Sequence, residues 1–282
     1  MFMEFFHDEV LFWGSNGIKL LRIGTYELII SIEAENVISA TIFNNRVVGI
    51  IKDGVQQSKI VFYDKNTGLL VSEFSYNEYI LSVRGNSSYL FISSENTIEA
   101  FQTTPFKSVE KYYRTSKNGS FALSSQYCVW TDDSQPGKVY LVSISDMKSI
   151  LEVQCHKGEI KKLSLSEQSL LLATASRKGT IIRVFNPHNG KQISEYRRGF
   201  SRADILALDI TSDALCAITS STIHIFPKEG GHITVPPIGN AVSIRLSNNR
   251  LFVLMDNGSL QTIVFCPTSC TIESSQTIAL PF

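Results

Sequence analysis

The stretch "GTIIRVFNPHNG", Gly179 to Gly190, decides the fold. A glycine turn leads into a run in which Ile182 and Val184 share one face and Arg183 falls on the other. That period of two marks a half-buried β-strand. Phe185 ends the run, and asparagine and glycine supply the next turn. The same unit, a turn residue followed by an alternating strand with an aromatic or apolar end, recurs along the chain. It is found at "NGIKLLRIG" (Asn16), "SKIVFYDKNTG" (Ser58), "NTIEAFQ" (Asn96), "GKVYLVSIS" (Gly137), "STIHIFPKEGG" (Ser221) and "GSLQTIVF" (Gly258). The spacing of roughly 40 residues is the period of a four-stranded propeller blade. Seven copies predict seven blades.

Working outward, the rest of the chain agrees. Helical periodicity is hard to find, and short runs rich in Val, Ile, Phe, Tyr and Thr alternate with Gly, Asn, Asp and Ser clusters. The expected fold is all-β, a seven-bladed β-propeller of degenerate WD repeats, in one domain over residues 1–282. Each blade would bury its faces against its neighbours, and closing the ring would protect the sheet edges. The usual Trp-Asp ending of a WD repeat is mostly missing. Tyr63-Asp64 is the nearest match, and Phe185-Asn186 and Phe226-Pro227 stand in its place elsewhere. A pair of β-sandwiches is the alternative architecture. The N-terminal "MFMEFF", where Met1, Phe2, Met3, Phe5 and Phe6 cluster, is read as a strand that closes the ring, with an apolar membrane anchor as the alternative.

The 282 residues are 43% hydrophobic and 18% charged, with no net charge, an ordinary globular profile. No apolar run reaches the ~18 residues of a membrane span. Glu4, Asp8 and Glu9 stand where a signal peptide needs positive charge. The five scattered cysteines read as free thiols of a reducing compartment. Cys266 and Cys270 could be half a zinc site, but no second pair lies nearby, so no metal or cofactor is expected. The neutral total hides an asymmetry. From Lys157 to Arg202 there are ten Lys/Arg against three Asp/Glu, so the remainder of the chain is acidic. A basic sector is either a solvated face or the footprint of an anionic partner.

Within that sector lies "SEYRRGFSRAD", Ser194 to Asp204. If it ends a strand, Arg197 and Arg198 point to opposite faces, and two pockets could use one each. Planar guanidiniums and hydroxyl donors suit phosphate. Thr174 and Ser176, two residues apart, share a face, Thr180 and Arg183 follow on the next strand, and His156 opens the blade. On the other side Arg198 would face Ser220, Ser221, Thr222 and His224. A protonated histidine donates two hydrogen bonds, and a phosphate neighbour favours that state. Taken singly, these groups also fit hydrogen-bond networks within a blade, and paired surface arginines also fit plain solvation.

The block from Cys155 to Phe226 resembles the PROPPIN family, propellers that bind polyphosphoinositides. The likeness rests on "LATASRKGTIIRVF", on "YRRG" where the family has Phe-Arg-Arg-Gly, and on "STIHIF" one blade later. "KIVFYDKNTG" and "YRTSKNGSFALSS" extend it more weakly. The resemblance implies two headgroup pockets at the edges of the fifth blade: His156, Thr174, Ser176, Thr180, Arg183 and Arg197 in one, and Arg198, Ser220, Ser221, Thr222 and His224 in the other. It implies recognition of phosphatidylinositol 3-phosphate or the 3,5-bisphosphate by a cytoplasmic, monomeric scaffold. That scaffold would sit peripherally on autophagic, endosomal or vacuolar membranes and recruit a partner such as a lipid-transfer protein. Three departures stand out. Tyr196 replaces the family Phe. The turn between "CAITS" and "STIHIF" is about two residues short, which would weaken the second pocket. The long membrane-dipping loop of the sixth blade is reduced to "PKEGGHITVPP". Binding that is mainly electrostatic is therefore expected.

Against an enzyme, there is no G-x-S-x-G, H-E-x-x-H or phosphate-cradling glycine loop. Asp132-Asp133, in "TDDSQPG", reads as a solvated turn. Nucleic-acid binding would want exposed aromatics among the cations, and Tyr196 is the evident candidate. A WD-type scaffold that binds an acidic peptide through the arginine pair is the rival reading.

Overall fold

A computed structural model describes residues 2–6, 9–54, 57–103, 105–113, 121–167 and 170–280. Every helix or strand among them is a β-strand, and the strands form seven four-stranded sheets, each of four consecutive strands in sequence order. Blade one is β1 (Phe2–Phe6), β2 (Glu9–Gly14), β3 (Gly17–Arg22) and β4 (Leu28–Glu33). Blade two is β5 (Val37–Phe43), β6 (Arg46–Asp53), β7 (Gln57–Asp64) and β8 (Leu70–Tyr76). Blade three is β9 (Ile80–Gly85), β10 (Leu90–Ser94), β11 (Thr97–Thr103) and β12 (Phe106–Tyr113). Blade four is β13 (Phe121–Leu123), β14 (Tyr127–Thr131), β15 (Lys138–Ser143) and β16 (Ile150–Gln154). Blade five is β17 (Ile160–Leu165), β18 (Leu172–Ser176), β19 (Ile181–Phe185) and β20 (Gln192–Arg197). Blade six is β21 (Ala207–Ile210), β22 (Ala214–Ile218), β23 (Ile223–Pro227) and β24 (Ile233–Val235). Blade seven is β25 (Ala241–Ser247), β26 (Arg250–Met255), β27 (Ser259–Cys266) and β28 (Thr271–Ala279).

The seven repeats found in the sequence are the third strands, β3, β7, β11, β15, β19, β23 and β27. "MFMEFF" contributes β1, paired antiparallel to β2 with Phe2 opposite Trp13. The chain groups into two compact units, residues 1–125 and 126–282. The first holds blades one to three, and the second holds blades five to seven and most of blade four. No helix among the described residues is long and apolar enough to cross a membrane.

Burial follows strand position. The second strands β10 and β22 are buried at every residue, whereas the fourth strands β8 and β28 are almost wholly exposed. β22 has a ladder on either side, and its two faces join the cores shared with blades five and seven. Small side chains let the blades approach, as Ala173 and Ala175 on β18 and Ala217 on β22 do. These three pack with Ile182, Val184, Leu208, Leu215 and Phe226 into one core between blades five and six. A second core, built on Ile223, Ile225, Leu251, Val253 and Ile263, joins blades six and seven. Removing such area from water contributes roughly 25 cal/mol per Å². Asp209 on β21, 4% exposed, ties three blades. Its carboxylate accepts from Ser164 Oγ at 3.0 Å and from the Leu246 N–H at 2.7 Å.

Candidate functional site

Blade five is built from "LATAS", "IIRVF" and "QISEYR" on β18, β19 and β20. Register sets which side chains meet. Thr174 lies opposite Arg183, Arg183 opposite Glu195, and Ile181 opposite Arg197. Thr174, Arg183, Glu195 and Arg197 therefore share one face, turned toward β16 of blade four. Ala173, Ala175, Ile182, Val184 and Tyr196 share the other, turned toward blade six. β20 ends at Arg197, and Arg198 follows on the blade-six side. The two arginines thus serve opposite faces, as the alternation requires.

On the first face, Arg183 donates through Nε to Glu195 Oε2 at 2.9 Å and through Nη1 to the Cys155 carbonyl at 2.6 Å. His156, 5% exposed, has Nε2 within 3.0 Å of Thr174 Oγ1 and 3.2 Å of the Thr174 carbonyl. Burial pushes the His156 pKa down to about 4, against the effect of its Thr174 bond. Thr174 is fully buried and Ser176 half-buried. Arg197 is exposed, with its guanidinium 5.4 Å from the centroid of the Phe200 ring. It has no hydrogen-bond or ion-pair partner among the described residues.

Thr180 departs from the expected grouping. It is buried, and its carbonyl accepts the Arg198 N–H at 3.0 Å, so its backbone is in register with Arg198 and not with Arg197. Gly179 before it has φ +64°, and a Cβ there would sit 1.8 Å from the Ala203 carbonyl oxygen. Only glycine fits this turn.

On the second face, Arg198 donates through Nε to the Gly179 carbonyl at 2.6 Å and through Nη2 to the Ser201 carbonyl. The β22–β23 connection is a two-residue turn. Ser220 and Ser221 form its exposed tip, and Thr219 Oγ1 accepts the Thr222 N–H at 3.1 Å. Thr222 Oγ1 lies 2.8 Å from His224 Nε2, and His224 Nδ1 lies 2.9 Å from His232 Nε2. Burial, then His232 and Arg198, push the His224 pKa down to about 4. His156 and His224 are therefore neutral at pH 7 in the free protein. The expected double donor needs a bound anion to raise them.

Three residues absent from the sequence reading belong here. Glu195 neutralises Arg183. His232 stacks on Phe226 at 4.3 Å, so the short β23–β24 turn folds back over the second face. Phe200, 87% exposed, is the aromatic that stands in water. Tyr196 is instead half-buried and packs on Phe226 at 5.3 Å, which corrects its reading as the exposed aromatic. Only proximity in the fold could have found the first two. Phe200 carried a readable signal, an aromatic immediately after Arg-Arg-Gly. Asp132 is also corrected. It is 6% exposed, because its Oδ1 accepts the Ser134 N–H at 2.8 Å and folds the carboxylate into the turn. All five cysteines are free, with Cys128, Cys155 and Cys216 buried and Cys266 and Cys270 partly exposed.

The PROPPIN family profile matches residues 15–243. Human WD repeat domain phosphoinositide-interacting protein 1 is 26% identical over 228 residues, 76% of this chain and 51% of its own. The matches span 65% of the length of the Schizosaccharomyces pombe relative, 51% of the human one and 52% of the Dictyostelium discoideum one, so the chain covers less than two thirds of each. Among solved structures, Kluyveromyces lactis Hsv2 with loop 6CD replaced by a Gly-Ser linker superposes with TM-score 0.85 at 15% identity, over 99% of this chain and 98% of that one. KlAtg21 in complex with the coiled coil of AgAtg16 gives 0.79 at 18%, over 99% of each. The shared fold is the seven-bladed β-propeller. With its profile matched over most of its length and its seven blades in place, the chain belongs to the PROPPIN family.

Proposed function

We propose that this protein is a membrane-recruited scaffold that reads phosphatidylinositol 3-phosphate, the 3,5-bisphosphate, or both. It would act peripherally on autophagic, endosomal or vacuolar membranes from the cytoplasm, as a monomer and without catalysis. The observation that carries this reading is the placement of Arg197 and Arg198 on opposite faces of one rim strand. Arg197 shares its face with Thr174 and Arg183, and Arg198 lies close enough to His224 and His232 to lower their pKa values. In the first pocket, Arg197 is the free fork for a phosphate, with Arg183, Thr174, Ser176 and His156 beside it and Thr180 at its border. In the second, Arg198 works with His224, Thr222, Ser220 and Ser221, and His232 joins them. The relatives' names support the lipid class and an autophagy role. KlAtg21 binds a coiled coil, which supports a protein partner from the same machinery, such as a lipid-transfer protein.

The test is sedimentation of the purified chain with phosphatidylcholine vesicles that carry each phosphoinositide in turn. Binding confined to the 3-phosphorylated lipids is expected. A chain that ignores all of these vesicles and captures an acidic peptide through the arginine pair would be the rival WD-type protein scaffold.

A further inference from the structure

The connection from β20 to β21, residues 198–206, is built rather than loose. Arg198 binds the Gly179 and Ser201 carbonyls, the Ala203 N–H donates to the Lys178 carbonyl at 3.3 Å, and Gly179 presses against Ala203. This pinned segment nevertheless holds Phe200 out at 87% exposure, more than any other large apolar side chain among the described residues. Gly199 before it faces open space. Ser201 and Arg202 after it are exposed. From Arg177 to Arg202 there are seven Lys/Arg and one Asp/Glu. Arg197 and Arg198 come just before the aromatic and Arg202 just after it, and the Arg197 guanidinium lies 5.4 Å from the ring centroid. The next connection of the same kind, from β24 to β25, leaves its blade by the same end and exposes Ile238 at 64%.

An apolar tip flanked by cations fits a surface that is anionic outside and apolar just beneath. We propose that Phe200 is a membrane-inserting residue that enters the headgroup–acyl boundary of an anionic bilayer once the adjacent arginines hold headgroups. This rests on the lipid reading above. Arg197 over the Phe200 ring places the proposed phosphate-binding guanidinium and the proposed inserting ring side by side.

The test uses the full chain, its Phe200→Ser variant and its Phe200→Trp variant. The probes are phosphatidylcholine vesicles with phosphatidylinositol 3-phosphate, at low and high salt. Phe200→Ser is expected to fold normally and to lose about tenfold in vesicle partitioning, most visibly at high salt. Its affinity for soluble inositol 1,3-bisphosphate, which offers no bilayer to enter, should fall far less than its vesicle partitioning. Phe200→Trp should show a blue-shifted emission on the vesicles, quenched by brominated acyl chains. Trp13 and Trp130 are 9% and 1% exposed and give a constant background. Three outcomes would overturn the inference. Partitioning of Phe200→Ser equal to wild type, with an unshifted Phe200→Trp, removes insertion. A parallel loss of soluble headgroup affinity makes Phe200 a positioning residue for Arg197. Loss of single-stranded oligonucleotide binding, with vesicle binding intact, makes it a base-stacking platform. Wild-type protein that binds no phosphoinositide vesicle overturns the lipid reading itself, and insertion with it.

Discussion

Arg197 and Arg198 are neighbours in the chain and differ in what holds them. The Arg197 guanidinium has no hydrogen-bond partner among the described residues and rests on an exposed aromatic ring. Arg198 is half-buried and donates to two backbone carbonyls, so it fastens the β18–β19 turn to the connection that follows β20. The first face carries a carboxylate, Glu195, that neutralises its second arginine. The second face carries two imidazoles, and Arg198 has no carboxylate partner among the described residues. One residue is free to bind, and the other binds partly to build. Adjacent identical side chains therefore predict unequal effects on stability and affinity.

The largest effect should come from removing both. R197T with R198T is expected to reduce sedimentation with phosphatidylinositol 3-phosphate vesicles by at least about a hundredfold. Each charge-assisted contact is worth roughly 1.5–3 kcal/mol. Undiminished binding by the folded double variant would break the comparison at its root.

Acid should affect both faces, through His156 and His224. Each has a folded pKa of about 4 against an ordinary 6.5, so between those values the unfolded chain binds more protons than the native one. The stability that these histidines contribute is complete above pH 6.5 and is lost as pH falls toward 4. At pH 5 the loss is about 2 kcal/mol for each histidine. Urea melts at pH 7 and pH 5 measure it, and His224→Asn should flatten the dependence by about half.

Single substitutions separate the two arginines. Arg198→Ala should lower unfolding free energy by about 1–3 kcal/mol, through the orphaned carbonyls, while Arg197→Ala should leave it unchanged. In calorimetry with a soluble headgroup, Arg197→Ala should cost about tenfold in affinity and Arg198→Ala less. An equal or larger loss for Arg198→Ala would show that the short β22–β23 turn leaves the second pocket at full strength.

The smallest effect sharpens the contrast in charge. Glu195→Gln frees Arg183 from a half-exposed ion pair. Pairs of that kind are worth about 0–1 kcal/mol, so headgroup affinity should rise by about two- to fivefold. No rise would mean that Arg183 serves only the Cys155 carbonyl.

The fold was legible because each third strand pairs a turn residue with a period-two run, a local signal that repeats. Strands such as β13 and β24, three residues each, carry too little pattern to be read that way. The Arg-Arg-Gly stretch was legible from residue type and neighbourhood. Glu195 and His232 were not, because their partners are set by register and by a turn that folds back. Tyr196 and Phe200 exchange roles for the same reason. Both are aromatics beside the arginine pair, and only the packing of β20 against Phe226 separates the buried one from the exposed one.

Two arginines on opposite faces of one rim strand also limit how the molecule can sit on a flat surface. Two attachment points define a line, and a body held along a line can still rock about it. The exposed ring of Phe200, beside that line, supplies a third point, and three points define a plane. On the proposed reading, with all three engaged the tilt of blade five would be fixed, and the strands fastened to it by Asp209 would take a set bearing toward an approaching partner. With the ring removed, the same headgroups would hold the protein at the surface but no longer aim it.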